Sequence, residues 1–214
     1  MKFDGTVQHS RMMKPVLKFF VMLILVIPKF GHADEGQFIE QGKKGIEAFR
    51  QGNLMIAIEL LSKSAEKGYA PAQTTLAYIM DQAEENDRAF ELFEQAAKQD
   101  YAAAQFGLGK MYAKGEGTLK DPLIAGRWIK KSALQHHAPA IRAYAFALEH
   151  GRLGFDRNSE QALHWYYQCH DAGDSVCARR LVQAYETGDL GQPADENKAD
   201  ELRRRLNPVP EEGS

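Results

Sequence analysis

The chain has 214 residues, 44% of them apolar and 26% charged, with a formal net charge of −2. That balance is ordinary for a globular protein and excludes a collagen-like or wholly disordered chain. No clustered basic surface of the kind nucleic acid requires is present, so no nucleic acid partner is expected.

The first segment reads as an export signal. Lys14 and Lys18 precede the apolar run Phe19 to Pro28, and Gly31-His32-Ala33 follows with small residues at the two positions that define cleavage. This order predicts a signal peptide over residues 1–33, cleaved after Ala33, and hence a periplasmic or secreted bacterial product. The alternative is an uncleaved anchor, but a spanning helix needs about 20 apolar residues and this run is roughly half that. Met12 and Met13 are further candidate starts, because the residues before them are polar. Without residues 1–33 the chain carries 22 basic and 28 acidic side chains, a net charge near −6, and no membrane-inserting segment is expected.

From Gln37 the sequence reads as paired helices. The first pair covers residues 38–51 and 54–67 and breaks at Gly52-Asn53. The second covers 70–82 and 88–99, and the third 102–114 and 122–135. The fourth covers 139–150 and 159–171, and the fifth 176–187 and 195–206. Asp121-Pro122 places an N-cap before a proline at the first helical position, and Asn158 and Asp195 offer similar caps. Gly68, Gly115, Gly151, Gly173 and Gly188 stand where a left-handed residue closes a helix. Asn207-Pro208-Val209-Pro210 ends the last helix, and residues 207–214 are expected to form a disordered tail. No stretch alternates at period two for long enough to argue a strand.

The pairs share a register. Anchored on Ala72, Ala104, Ala140 and Cys177, they recur at steps of 32, 36 and 37 residues. A large apolar residue follows eight positions on (Met80, Tyr112, Leu148, Tyr185), and Ala83, Gly115, Gly151 or Gly188 follows at eleven. The first helix fits weakly, with Gln41, Phe49 and Gly52 in those places. Small anchors let facing helices approach closely, and the residue eight later fills the core on about the same face. Trp128 and Trp165 stand 37 apart in second helices, matching Leu92 and Leu202, and are expected to pack between helices. One hairpin cannot bury its apolar face alone, so the pattern predicts an all-α solenoid of about five stacked antiparallel helix pairs.

Cys169 lies near the end of one predicted helix and Cys177 near the start of the next, so the turn 172–175 brings them together. In an exported chain a disulfide is permitted; two buried free thiols, or half of a metal site with His170, are the alternatives.

The run Ala102 to Ala133 is similar to a Sel1-like repeat. Ala104-Gln105, Leu108-Gly109, Tyr112, Gly115-Glu116-Gly117, Asp121, Ala125, Trp128 and Ser132-Ala133 stand in that pattern's order. Neighbouring copies are degenerate: the second pair lacks the glycine-rich loop, and the first is nearer to a tetratricopeptide hairpin. The resemblance covers about Gln37 to Leu206. The cysteine pair also resembles the bridging cysteines of secreted cysteine-rich Sel1-like proteins, although there each repeat tends to carry a bridge. Sel1-like relatives include adaptors in envelope polysaccharide export, flagellar motor parts and secreted factors acting on host cells. The resemblance therefore implies a non-catalytic scaffold that binds another protein or peptide. Some cysteine-rich relatives bind or slowly hydrolyse β-lactams, so a weak β-lactam- or peptidoglycan-directed hydrolase is the alternative. A membrane-tethered adaptor is another.

No catalytic motif is found: there is no Gly-x-Ser-x-Gly elbow, phosphate-cradling loop or His-Glu-x-x-His. Ser64 and Lys67 form a Ser-x-x-Lys pair without any companion motif. His136, His137, His150, His164 and His170 are scattered, and Glu84-Glu85 reads as solvated surface. No catalytic residue, cofactor or metal is expected.

In such arrays the first helix of each pair lines the inner, concave side. Positions two and six after each anchor should project from the packing line: Thr74 and Tyr78, Phe106 and Lys110, Arg142 and Phe146, Arg179 and Gln183. This row mixes aromatics with cations, a composition enriched at protein interfaces. It is expected to bind an extended or acidic segment of another envelope protein. The alternative is that Phe106 and Phe146 pack between neighbouring repeats.

Overall fold

The computed structural model describes residues 32–206, which form ten α-helices and, among the described residues, no strand. They are α1 (His32–Arg50), α2 (Leu54–Glu66), α3 (Ala70–Gln82), α4 (Asn86–Lys98), α5 (Ala102–Lys114), α6 (Pro122–Leu134), α7 (Ala138–His150), α8 (Ser159–Asp171), α9 (Ser175–Thr187) and α10 (Glu196–Leu206). From Gln37 onward they belong to one compact unit. Residues 1–31, which hold most of the expected signal, and the expected tail at 207–214 lie outside the described residues. α1 starts at His32 rather than Phe38; a glycine such as Gly36 costs a helix only about 1 kcal/mol and does not break it.

The expected helix pairs are present with ends shifted by one or two residues. Asp121 accepts from the amides of Leu123 and Ile124, and Asn158 from that of Gln161, as N-caps do. Asp174, which the sequence reading passed over, caps α9 through the amides of Val176 and Cys177.

Each junction between pairs is built the same way. A small residue late in the second helix stands eight positions before the anchor of the next: Ser64 before Ala72, Ala96 before Ala104, Ser132 before Ala140, Cys169 before Cys177. All eight are 0% exposed. The tight turn between them carries one residue with positive φ: Gly68 (87°), Asp100 (63°), His136 (60°) and Gly173 (87°). Only two of these are glycine, which is why composition alone hid the regularity of the turn. Buried polar groups at the junctions are satisfied locally. Ser64 Oγ donates to the Phe38 carbonyl and Ser132 Oγ to that of Ala102, both at 2.7 Å. Buried Gln73 donates to the Ala65 carbonyl and to Gln95, while buried Gln105 accepts from Gln135 at 2.9 Å.

Successive repeats also interlock through their longer loops. A Cβ on Gly117 would lie 2.3 Å from the Asn86 carbonyl oxygen, and one on Gly126 only 2.1 Å from that of Leu153. The core consists of one cluster running from Ala48 to Met111 and a second from Ile129 to Leu202. Trp128 packs against the first cluster, and Trp165 against the second with its ring edge-on to Tyr144 at 5.2 Å. Both tryptophans therefore serve inter-helix packing.

Candidate functional site

α5, α7 and α9, three successive first helices, bring part of the expected row to one cavity of about 670 Å³. Phe106, Arg142, Phe146 and Gln183 all line it. Phe146 is 42% exposed, whereas Phe106 is half-buried and lies 5.6 Å from the His137 ring. The remaining four row residues are not part of this lining. Thr74 is a correction: it is 3% exposed, and its hydroxyl donates to the Ala70 carbonyl one turn back, which makes burial of this small polar side chain tolerable. Tyr78 is half-buried and edge-on to Phe93 at 4.9 Å, and burial pushes its hydroxyl up to about 12. Lys110 is half-buried, and Arg179 is exposed with a weak contact to Ser175 Oγ at 3.4 Å.

The cavity has a polar wall that sequence reasoning missed. Glu149 lies in the last turn of α7, Arg180 projects from α9, Tyr166 from α8, and Asp189 follows α9. Tyr166 Oη donates to Glu149 Oε2 at 2.6 Å. Arg180 donates to Glu149 Oε1 through Nε at 3.0 Å and Nη2 at 2.6 Å, and Nη2 also meets Asp189 Oδ2 at 2.5 Å. Burial pushes the Glu149 carboxyl up, but the hydrogen bonds from Arg180 and Tyr166 outweigh it and hold the group below its ordinary value. The amide of Leu190 and the Arg180 guanidinium do the same for Asp189. Burial and the bond to Glu149 together raise Tyr166 far above the usual phenol. With its oxygens so engaged, Glu149 is a fixed structural anion rather than a free base. Arg180 and Glu149 are 31 residues apart, and no local spacing rule announces such a pair.

Arg142 Nη1 donates to Asp174 Oδ2 at 2.8 Å, tying the groove to the turn before α9. That turn is spanned by the Cys169–Cys177 disulfide, whose Cα atoms are 5.9 Å apart. The bridge settles the three readings of the pair. Although Cys169, Asp174 and Cys177 lie close together, both sulfurs are bonded to each other and offer no thiolate to a metal. At the rim, the Arg152 guanidinium lies 5.2 Å over the Phe146 ring, with the His150 ring 4.1 Å from it on the same helix.

The Sel1 repeat pattern matches residues 36–69, 81–101, 102–137, 138–173 and 176–199, and so includes the first, tetratricopeptide-like pair. Over 132 residues the chain is 33% identical to chitin synthase regulatory factor 3 of Schizosaccharomyces pombe, covering 58% of this chain and 14% of that one. Over 153 residues it is 29% identical to the ERAD-associated E3 ubiquitin-protein ligase component HRD3B of Arabidopsis thaliana, covering 61% and 25% respectively. The chain thus spans a quarter or less of those relatives' length. Among solved structures, a Sel1 repeat protein from Oxalobacter formigenes superposes with a TM-score of 0.70 at 29% identity, over 78% of this chain and 67% of that one. A protective antigen of uropathogenic Escherichia coli, c5321, shares the fold with the same TM-score of 0.70 at 22% identity, over 81% and 38%.

Proposed function

We propose that this chain, which belongs to the Sel1 repeat family, is a non-catalytic adaptor of the bacterial envelope or of the secreted space. It holds an extended segment of another protein in the groove along α5, α7 and α9. The observation that carries this reading is the cavity itself. It places exposed Phe146 beside a polar wall in which Glu149 is held by Tyr166 and Arg180, a surface preorganised for contact rather than for chemistry. Similarity to one protein named as a ligase component and to another named as a regulatory factor supports it. The localisation rests on the N-terminal export pattern, with Asp34 as the first residue of the processed chain.

The test is crosslinked affinity capture from the native envelope with the wild type and a Phe106→Ala, Arg142→Ala, Phe146→Ala triple variant. The wild type should retain a discrete partner that the variant loses while melting as a folded helical protein. Unaltered capture by the variant overturns the groove as the binding site. A chromogenic β-lactam should survive incubation with the purified protein, and turnover would overturn the non-catalytic reading.

A further inference from the structure

We infer that the groove selects segments carrying an acidic residue two positions from an apolar one. This rests on the groove reading above and adds the chemistry of the occupant.

Counted by residue type, the groove is nearly neutral; counted by accessible charge, it is cationic. Its carboxylates are spent internally. Glu149, whose side chain is 11% exposed, takes Tyr166 and Arg180, and Asp174, 14% exposed, takes Arg142 and caps α9. Asp189 is the most open of the three, yet one oxygen holds Arg180 and the other the Leu190 amide. The cations are less consumed. The Arg142 side chain is 42% exposed and commits one terminal nitrogen to Asp174, leaving Nη2 and Nε without a partner among the described residues. Arg152 is exposed, makes no ion pair among the described residues, and stands over Phe146. Accessible positive charge thus faces the groove in a protein whose charge from Asp34 onward is near −6. An anionic segment is favoured at this face.

The spacing follows from helix geometry. Arg142 and Phe146 are four residues apart on α7, a rise of about 6 Å. For a segment lying alongside α7, two residues of extended chain span about 6.6 Å, so a carboxylate at Arg142 sets the second residue onward over Phe146. Because side chains alternate along an extended strand, both project toward the groove. A further acidic residue beyond the apolar one meets Arg152.

The experiment is panning of a displayed random heptapeptide library on the full protein, with parallel selection on Phe146→Ala, Arg142→Gln and Arg152→Gln. Recovered sequences should be enriched in Asp or Glu two positions from Phe, Leu or Ile. A synthetic consensus peptide, followed by fluorescence anisotropy, should weaken at least about tenfold in Arg142→Gln and again as salt rises from about 0.05 to about 0.5 M. Arg152→Gln breaks no internal ion pair, so it tests the attraction to acidic residues without disturbing the turn before α9. Binders that require Phe146 but show no acidic bias, or affinity unmoved by both arginine variants, overturn the charge rule while leaving the groove standing. Binders indifferent to Phe146→Ala, or none at all, overturn the groove as well.

Discussion

Cys169 and Cys177 occupy the same two repeat positions as Ser132 and Ala140, eight residues apart and 0% exposed in both cases. The disulfide is therefore not an addition to the repeat. It bridges two buried small positions that recur at every junction, which Ala96 and Ala104 fill with apolar side chains. Helices packed at such a point lie close enough for a bridge wherever both side chains are cysteine. Accordingly, Ala96→Cys with Ala104→Cys should oxidise to a second intramolecular bridge, detected by non-reducing peptide mapping. Persistent free thiols at both positions would show that the junctions are not equivalent.

Removing the native bridge tests its share of stability. For a loop this short, the chain-entropy argument gives about 2–3 kcal/mol. The Cys169→Ala, Cys177→Ala variant should therefore unfold at lower denaturant concentration by about that amount. The loss should be accompanied by faster amide exchange in α9, whose cap Asp174 lies in the turn that the bridge spans.

Gly126 lies within α6, where alanine is ordinarily the better helix former. The structure reverses that expectation, because the Leu153 carbonyl oxygen of the next repeat's loop sits where a Cβ would be, and backbone yields less readily than a side chain. Gly126→Ala should cost about 1–3 kcal/mol by overpacking, read by thermal or denaturant melts. A neutral or stabilising result would mean that the loop is free to shift.

The positions of these features mark what the sequence discloses. Helices, pairing and the anchors Ala72, Ala104, Ala140 and Cys177 were legible, because burial imposes a periodic pattern on residue size. The loop contact at Gly126 was not, since it joins elements of different repeats without changing that periodicity. Half of the expected surface row reached the groove. Thr74 left it because a hydroxyl that bonds its own helix can be buried, which residue type alone does not reveal. The wall of Glu149, Tyr166 and Arg180 depends on pairing across α7, α8 and α9, and ion pairs of that range follow no sequence spacing.

That wall fixes an acid dependence. The folded protein holds Glu149 below its ordinary value, so the group contributes stability that is fully present above the unfolded carboxyl range. That contribution is lost as pH falls through about 4.5 toward the folded value, when the carboxylate must accept a proton and release Arg180. Asp189 is shifted in the same direction and adds to the loss. Glu149→Gln removes the charge that Arg180 faces and should cost about 2 kcal/mol at neutral pH, since hydrogen bonds to charged groups are worth that much. The gap between wild type and variant should then narrow below about pH 4.5, because the wild type is itself becoming neutral there. Denaturant melts across that interval measure both curves. A gap that stays constant with pH would show that Glu149 acts through shape alone.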